Sequence, residues 1–526
     1  MTRAMTVANG HERAAGGRQE EVTRLMIQAL HEMGYGAAAA SLERESGCSI
    51  ESADVAAFRA AVLAGAWETA EGVLGRIELR EGAELATLQF YVRQQKYLEL
   101  LEQRDMVRAL GVLRGELAPL EYDTRQLHFL SGLMMCASVA DLRTQARWSG
   151  AGGDSRQVLL GELQKCISPA VMIPPGRLQT LLDQAQRYQE CRCVYHNPAG
   201  PTTLYADHVC GRQQLPTTTA KVLTAHESEV WFTMFSHDGA RLATASADRT
   251  VIIWDTRTFE PVHVLREHSN AVTVLAWSAD DSRMITGGYE RRIKIWDTAS
   301  GECLATIDGF TEPLTACEWL PSGDEFLTSS LDPNRSITLW HGIHDPKIVF
   351  QWNGSRIYDI ALTPDGQRVV AICNETRLQV YDVASRKCAA QVETDAEMTC
   401  VSVSRDGRCA LVSCKNKEVQ IWDLASLRLV RRCLGQVQKQ YVIRSCFGGG
   451  YAARPGAGEP AGVVETFVVS GSEDANVYVW RRDDGNLLAV LPGHAKTVNS
   501  VSWNPVDRHM FVSASDDGTV RVWSTQ

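Results

Sequence analysis

Hydrophobic positions change period along this chain. From Val22 to Met33 the apolar residues Val22, Leu25, Met26, Ala29, Leu30 and Met33 recur at helical spacing, and Gly34 stands where a helix would stop. A second short helix is predicted from Ala37 to Ser46, and two helices this short bury little surface alone. Helical spacing continues through Phe58 to Leu74, Phe90 to Leu101, Ala109 to Leu117, Leu127 to Ala137, Ser155 to Leu163 and Arg177 to Tyr188, with Pro174-Pro175 breaking the last two apart. Beyond about residue 219 the pattern becomes alternation, as in Val251, Ile253 and Val520, Val522, which predicts strands.

The strands come in repeats. Aromatic residues close similar phrases at Trp254, Trp296, Trp340, Tyr381, Trp422, Trp480 and Trp523, at intervals of 42, 44, 41, 41, 58 and 43. Most intervals match the blade of a WD-type propeller, about 40–45 residues. The long one contains a Gly-, Ala- and Pro-rich stretch, 448–463, which reads as a flexible insertion in the sixth blade. The last copy ends too soon to supply an outer strand, and the spare strand-like segment Thr219 to Thr224 is predicted to complete it, closing a seven-bladed ring without exposed edges.

An acid or amide precedes most closing aromatics by six residues: Asp248, Glu290, Glu375, Asn416, Asp474 and Asp517, with Asp332 eight before Trp340. With His226, His268 and His494 in the preceding loops, Ser246 and Ser515 as relays, and Trp254, Trp296 and Trp523 as termini, these form an expected structural tetrad. Buried polar groups need partners, so His and Asp here imply no catalysis. No catalytic residue, cofactor or metal is expected, and the chain is read as a non-enzyme. Cys191, Cys193, His196, His208 and Cys210 follow no familiar zinc-finger spacing and are read as buried side chains at a junction. Gly448-Gly449-Gly450 lacks the Lys-Ser/Thr of a phosphate loop, and no RING ladder or Gly-x-Ser-x-Gly elbow is present. The residue after each inner-strand opener, Trp231, Thr273, Thr315, Tyr358, Thr399, Ile443 and Asn499, is placed near one rim. Trp231, Tyr358 and Asn499 are the candidate partner contacts.

The helical half carries family phrases. Val22 to Gly47, with Leu25, Leu30, Gly34-Tyr35, Leu42 and Glu45-Ser46, resembles the LisH dimerisation motif. Phe58-Arg59 through Val62-Leu63, Gly65 and Trp67, then Phe90 to Leu101, then Ala109 to Leu117 resemble the CTLH module in three ordered phrases. LisH, CTLH and propeller in one chain resemble the WD-repeat family of the CTLH/GID ubiquitin ligases, supported by RLQTLLDQAQ at 177–186, CRCVYHN at 191–197 and DHVC at 207–210. The resemblance implies a non-catalytic scaffold that positions substrates for ubiquitin-dependent proteasomal degradation. Expected partners are other ligase subunits, RING subunits among them, and protein substrates. It also implies self-association, as a homodimer or higher, through Val22, Leu25, Met26, Ala29, Leu30, Met33, Tyr35 and Leu42. The alternatives are a cullin-4 substrate receptor, suggested by the phrase Trp254-Asp255-Thr256-Arg257, and a spliceosomal or corepressor scaffold of similar make-up. The predicted layout is a disordered tail 1–19, LisH 20–50, CTLH 51–115, further CRA-like helices 116–190, a junction 191–218 and the propeller 219–526.

Composition alters this little. Net charge is −10 and the sequence pI is about 5.8, which excludes a broad basic footprint for nucleic acid. No apolar run suggests a membrane span. Fifteen cysteines without a leader-like N-terminus suggest free thiols, hence a cytoplasmic or nuclear protein.

Overall fold

The computed structural model describes residues 18–525 except 121, 137, 198–202, 375 and 453–462. The predicted tail 1–19, but for residues 18 and 19, and most of the 448–463 insertion lie outside the described residues, as does Glu375. The chain forms two compact units, one ending at Ala185 and one beginning at Gln186.

The first unit is helical: α1 (18–32), α2 (Gly36–Ser46), α3 (Ala53–Ala64), α4 (Trp67–Leu74), α5 (Leu85–Glu102), α6 (Met106–Val112), α7 (Thr124–Leu133), α8 (Val139–Ala146) and α9 (Ser155–Gln164), with α10 (Arg177–Arg192) leading into the second unit. Gly34 ends α1 at φ +87°, and the Tyr35 amide donates to the Leu30 carbonyl, the C-terminal glycine cap expected of it. Apolar faces of α3, α4, α5 and α9 share one core of Val55, Phe58, Val62, Ala70, Leu74, Leu88, Val92 and Leu163.

A buried carboxylate explains the Gly-x-Trp and Gln-Gln-Lys-Tyr-Leu-Glu phrases. Glu99 on α5 is buried and accepts from Trp67 Nε1 at 3.2 Å and from both Arg156 Nε and Nη2, at 2.8 and 2.9 Å. Gln95 adds Nε2 at 3.1 Å, and Arg156 Nη1 reaches the Leu63 carbonyl at 2.7 Å. Gly65, at φ +74°, ends α3 under that guanidinium, and a Cβ there would lie 2.3 Å from Arg156 Nη2. The bidentate pair and its satellites satisfy a charge that alone would be prohibitive to bury.

The second unit is a seven-bladed propeller. Six blades run consecutively over 230–265, 272–307, 314–352, 357–393, 398–434 and 445–492, each a four-stranded antiparallel sheet. The seventh combines Val498–Trp503, Met510–Ser515 and Val520–Ser524 with the outer strand Thr218–Leu223. Thr219 pairs with Trp523 and Leu223 with Val520, so the ring closes where the alternation pattern placed it. Gly448 belongs to the inner strand Ser445–Gly448 of the sixth blade, paired with Phe467, so the insertion begins after it.

Among the described residues, three blades carry the full polar tetrad. His226 Nδ1 lies 2.8 Å from Asp248 and its Nε2 2.8 Å from Thr244 Oγ1, to which Trp254 Nε1 donates at 3.0 Å. His268, Glu290, Thr286 and Trp296 repeat this, as do His494, Asp517, Ser513 and Trp523. The relay is therefore Thr244 or Ser513, not Ser246 or Ser515. Those two serines sit two residues on, at the strand end, where they accept the amides of Asp248 and Asp517 and donate to the Glu229 and Lys496 carbonyls. The imidazole reaches one residue pair deeper, where its far nitrogen bonds the same hydroxyl that accepts the indole N–H. Burial pushes the Asp517 carboxyl up, but donors from Thr519, the Ala495 amide and His494 outweigh it and hold it at about 2.

Asp517→Ala leaves His494 and the Ala495 amide unpaired beside the closing strand. The expected result is a loss of about 1–3 kcal/mol, read as a lower Tm of the full chain; an unchanged Tm would show that the tetrad contributes nothing to closure.

Candidate functional site

The inner strands open onto a cavity of about 610 Å³ at one rim of the propeller. Its wall includes Trp231, Tyr289, Leu314, Tyr358, Tyr441 and Val442, interspersed with Glu229, Glu397, Lys415 and Arg444. Tyr289, Tyr358, Tyr441 and Val442 are exposed, and Trp231 is half-buried. Trp231 is held from two sides: its indole N–H donates to Glu229 at 3.1 Å, and its ring meets Tyr289 edge-on at 6.0 Å. Exposed aromatics fixed over a cavity have the make-up of a protein-docking surface.

Of the three partner residues expected from sequence, Trp231 and Tyr358 present side chains to this cavity. Asn499 borders it, but its side chain is only part of the wall. It is 6% exposed, and its amide is committed to the Val230 carbonyl at 3.0 Å and to Asp516 at 2.6 Å, bracing the seventh blade against the first. Ile443 is fully buried. The reason is local: Glu473 Oε1 accepts three successive amides, from Lys439, Gln440 and Tyr441, at 2.7, 2.7 and 3.1 Å. That loop delays the inner strand of the sixth blade to Ser445 and lifts Tyr441 and Val442 onto the rim. Counting residues from an assumed strand opener could not reveal this, although a Gln-Lys-Gln-Tyr run followed by a late strand was the available signal. Tyr289 was missed because it sits in a turn after Gly287-Gly288, off the inner strand.

Arg444 lines this cavity and the one behind it, of about 690 Å³. Its guanidinium pairs with buried Asp359 at 3.0 Å, lies over the Phe232 ring at 4.5 Å and donates to the Thr315 carbonyl at 3.4 Å. One side chain of the sixth blade thus ties the first, third and fourth blades across the channel. Glu318 also lines the deeper cavity; burial, with Asp359 adding repulsion, pushes its carboxyl up to about 8 against the pull of Arg444.

Asp255 of the Trp-Asp-Thr-Arg phrase accepts the Arg257 and Thr258 amides, both at 2.9 Å. Asp297 does the same for Ala299 and Ser300 in the next blade, so the aspartate is a repeated turn cap of the propeller.

In the first unit, α1 presents two faces. Ile27 is fully buried, and Arg24, Gln28 and Glu32, one turn apart, bind the chain's own backbone: Arg24 to the carbonyls of Ser49, Ile50 and Ala170, Gln28 to Pro174, and Glu32 to the Gly176 amide. Of the predicted stripe, Leu25, Ala29, Leu30 and Leu42 are half-buried, whereas Val22, Met26, Met33 and Tyr35 are 44, 51, 61 and 60% exposed. The helix is anchored by its polar edge and leaves an apolar strip uncovered.

In the junction, Cys193, His196, His208 and Cys210 converge, with one ligand-capable atom of each within 4.8 Å of the others; the Cys191 side chain lies outside the described residues. Burial, with His208 beside it, holds the His196 imidazole down at about 4, and burial pushes the Cys210 thiol up to about 11.

Comparison with known proteins agrees with this anatomy. Residues 15–52 match the family described as the WDR26 Lis-homology domain, 54–174 the TPR1-like, CTLH-containing domain and 485–524 the WD domain, G-beta repeat. Residues 214–447 also match the IFT122 first beta-propeller, a likeness of repeats. A WD repeat-containing protein 26 homolog of Arabidopsis thaliana is 35% identical over 96% of this chain and 84% of its own. GID complex subunit 7 of Schizosaccharomyces pombe is 35% identical over 97% of both chains. This chain belongs to the WD repeat-containing protein 26/GID complex subunit 7 family. A Drosophila melanogaster member is 36% identical over 96% of this chain. The family's LisH, CTLH and propeller parts are the α1–α2 pair, the helices around Glu99 and the seven blades.

Glu318 gives the deeper cavity a pH signature. With its pKa raised from 4.5 to about 8, the folded state keeps a proton that the unfolded chain has released across that window, so stability falls as pH rises through it. Glu318→Gln removes the titration. Its Tm should match wild type near pH 4.5 and exceed it by about 5–10 °C near pH 8.5; a gap independent of pH would refute the raised pKa.

Proposed function

We propose that this chain is a non-catalytic scaffold and substrate-positioning subunit of a CTLH/GID-type E3 ubiquitin ligase, promoting ubiquitin-dependent proteasomal degradation. The observation that carries the reading is the match to a GID complex subunit over 97% of both chains. Two features support the division of labour. The uncovered strip Val22, Met26, Met33 and Tyr35 is an apolar surface of the kind that a second copy covers. The aromatic rim around Trp231, Tyr289, Tyr358 and Tyr441 suits a protein segment with apolar anchors. In this reading RING subunits of the assembly supply the chemistry, and this chain supplies geometry. The fourteen described cysteines are free thiols, which accords with residence in the cytoplasm or nucleus.

Affinity purification of the tagged chain from its own cells, followed by mass spectrometry, should recover RING-bearing GID subunits. Splicing factors or corepressors without any RING subunit would overturn the reading. Val22→Asp with Met26→Asp, both at exposed positions, should halve the light-scattering mass of the purified chain or reduce it further, while the Tm of the propeller is retained. An unchanged mass would remove α1 from the self-association surface. Trp231→Ala with Tyr441→Ala should lower substrate recovery at least several-fold and leave RING-subunit recovery as in wild type; equal recovery of substrates would move the docking surface elsewhere.

A further inference from the structure

The junction between α10 and the outer strand Thr218–Leu223 holds a donor set that the scaffold role does not use. Cys193 follows the end of α10, His196 lies three residues on, and the chain returns with His208 and Cys210 two residues apart. His196 Nδ1 is 2.7 Å from His208 Nε2, and Cys210 Sγ is 3.1 Å from that nitrogen. The Cys210 amide donates to Cys193 Sγ at 3.2 Å. Cys193 and His196 are buried, and His208 and Cys210 half-buried.

We propose that Cys193, His196, His208 and Cys210 form a tetrahedral Cys2His2 site for one zinc ion. The chemistry is that of zinc: two thiolates and two imidazoles, a borderline-soft set with no carboxylate among them. The size fits as well. Zn–S bonds of about 2.3 Å and Zn–N bonds of about 2.0–2.1 Å set tetrahedral edges of about 3.8 Å between sulfurs, 3.4 Å between nitrogens and 3.6 Å between the two kinds. The two short contacts open by about 0.7 Å between the imidazoles and about 0.5 Å between Cys210 and His208 to reach these edges. No pair starts beyond 4.8 Å, so the widest closes by about 1 Å at most.

The surroundings hold the ligands in place. Gln189 on α10 accepts the His208 amide at 3.1 Å and donates to Asp207 at 2.8 Å, fixing the returning segment against the helix end. Asn197, beside His196, donates to the Arg508 carbonyl at 2.9 Å, and Tyr195 and Leu215 join the core shared by the sixth and seventh blades. The amide on Cys193 Sγ is a donor of the kind that steadies a thiolate ligand. All four positions come from this chain, so the site is closed and its role structural: it staples the segment between Cys193 and Cys210 onto the blade that closes the ring. A Cys193–Cys210 disulfide is the rival use of the two sulfurs.

The test uses the full chain, produced without a polyhistidine tag in zinc-replete medium. Elemental analysis and native mass spectrometry should find one zinc per chain. Replacement by Co(II) should give the visible d–d bands and thiolate charge-transfer band of a tetrahedral S2N2 site. Cys193→Ser and Cys210→Ser should each lose the metal and lower the Tm, whereas Cys388→Ser, at an exposed thiol elsewhere, should keep it. A wild-type chain that carries no zinc and gives no cobalt spectrum would overturn the proposal whatever the variants do. So would zinc retained by the Cys193→Ser/Cys210→Ser double variant, or an intact mass two hydrogens short, placing the sulfurs in a disulfide.

Discussion

The second unit depends on one pairing, that of Thr218–Leu223 with Val520–Ser524. A propeller blade is a small sheet whose two faces are buried only by its neighbours, so an open ring exposes an edge and two apolar faces at once. Closure by strands from both ends of the repeat region removes all three. The core it creates unites Leu223, Val512, Ala514, Val520 and Val522 with Val230, Leu242, Ile252 and Trp254 of the first blade. The best polar tetrads, those of His226 and His494, flank this seam. A third tetrad, that of His268, stands in the second blade, while the fourth and fifth blades use the pairs Tyr381–Gln379 and Trp422–Gln420 instead.

The same economy governs the channel. Seven inner strands leave a space down the middle, and Arg444 spans it with an ion pair, a carbonyl bond and a ring contact to three other blades. A buried guanidinium is expensive unless its donors are occupied, and here they are distributed among blades far apart in sequence. The rim aromatics therefore sit on a frame braced from below. The Glu473 loop completes the arrangement by setting Tyr441 outside the inner-strand register.

Much of this was legible beforehand, for identifiable reasons. Blade count, closure and the tetrad residues follow from a strict repeat, in which each copy corrects the reading of the others. The relay position did not follow: Thr244 and Ser246 lie on the same strand face, and only the depth of the imidazole decides between them. Ile443 is buried rather than at the rim because counting from strand openers fails where a carboxylate gathers three amides into a loop, whereas Asn499 reaches the rim with its amide already committed to the Val230 carbonyl and Asp516. On α1 the apolar stripe was visible, but the side that docks on the chain's own backbone is marked by Arg24, Gln28 and Glu32, polar residues that hydrophobic spacing ignores.

The junction shows the limit of reading ligands by spacing. A finger motif is recognisable when a short loop dictates which ligands meet. Between His196 and His208 the chain runs eleven residues, too many for the spacing alone to dictate which ligands meet. They meet because Gln189 and Asn197 tie the two arms to α10 and to the seventh blade, contacts set by the propeller itself. A zinc ion there would depend on the folded ring for its geometry and, in return, hold the outer-strand segment close to the position from which it closes that ring. Metal affinity and ring stability would then be linked, each raising the other.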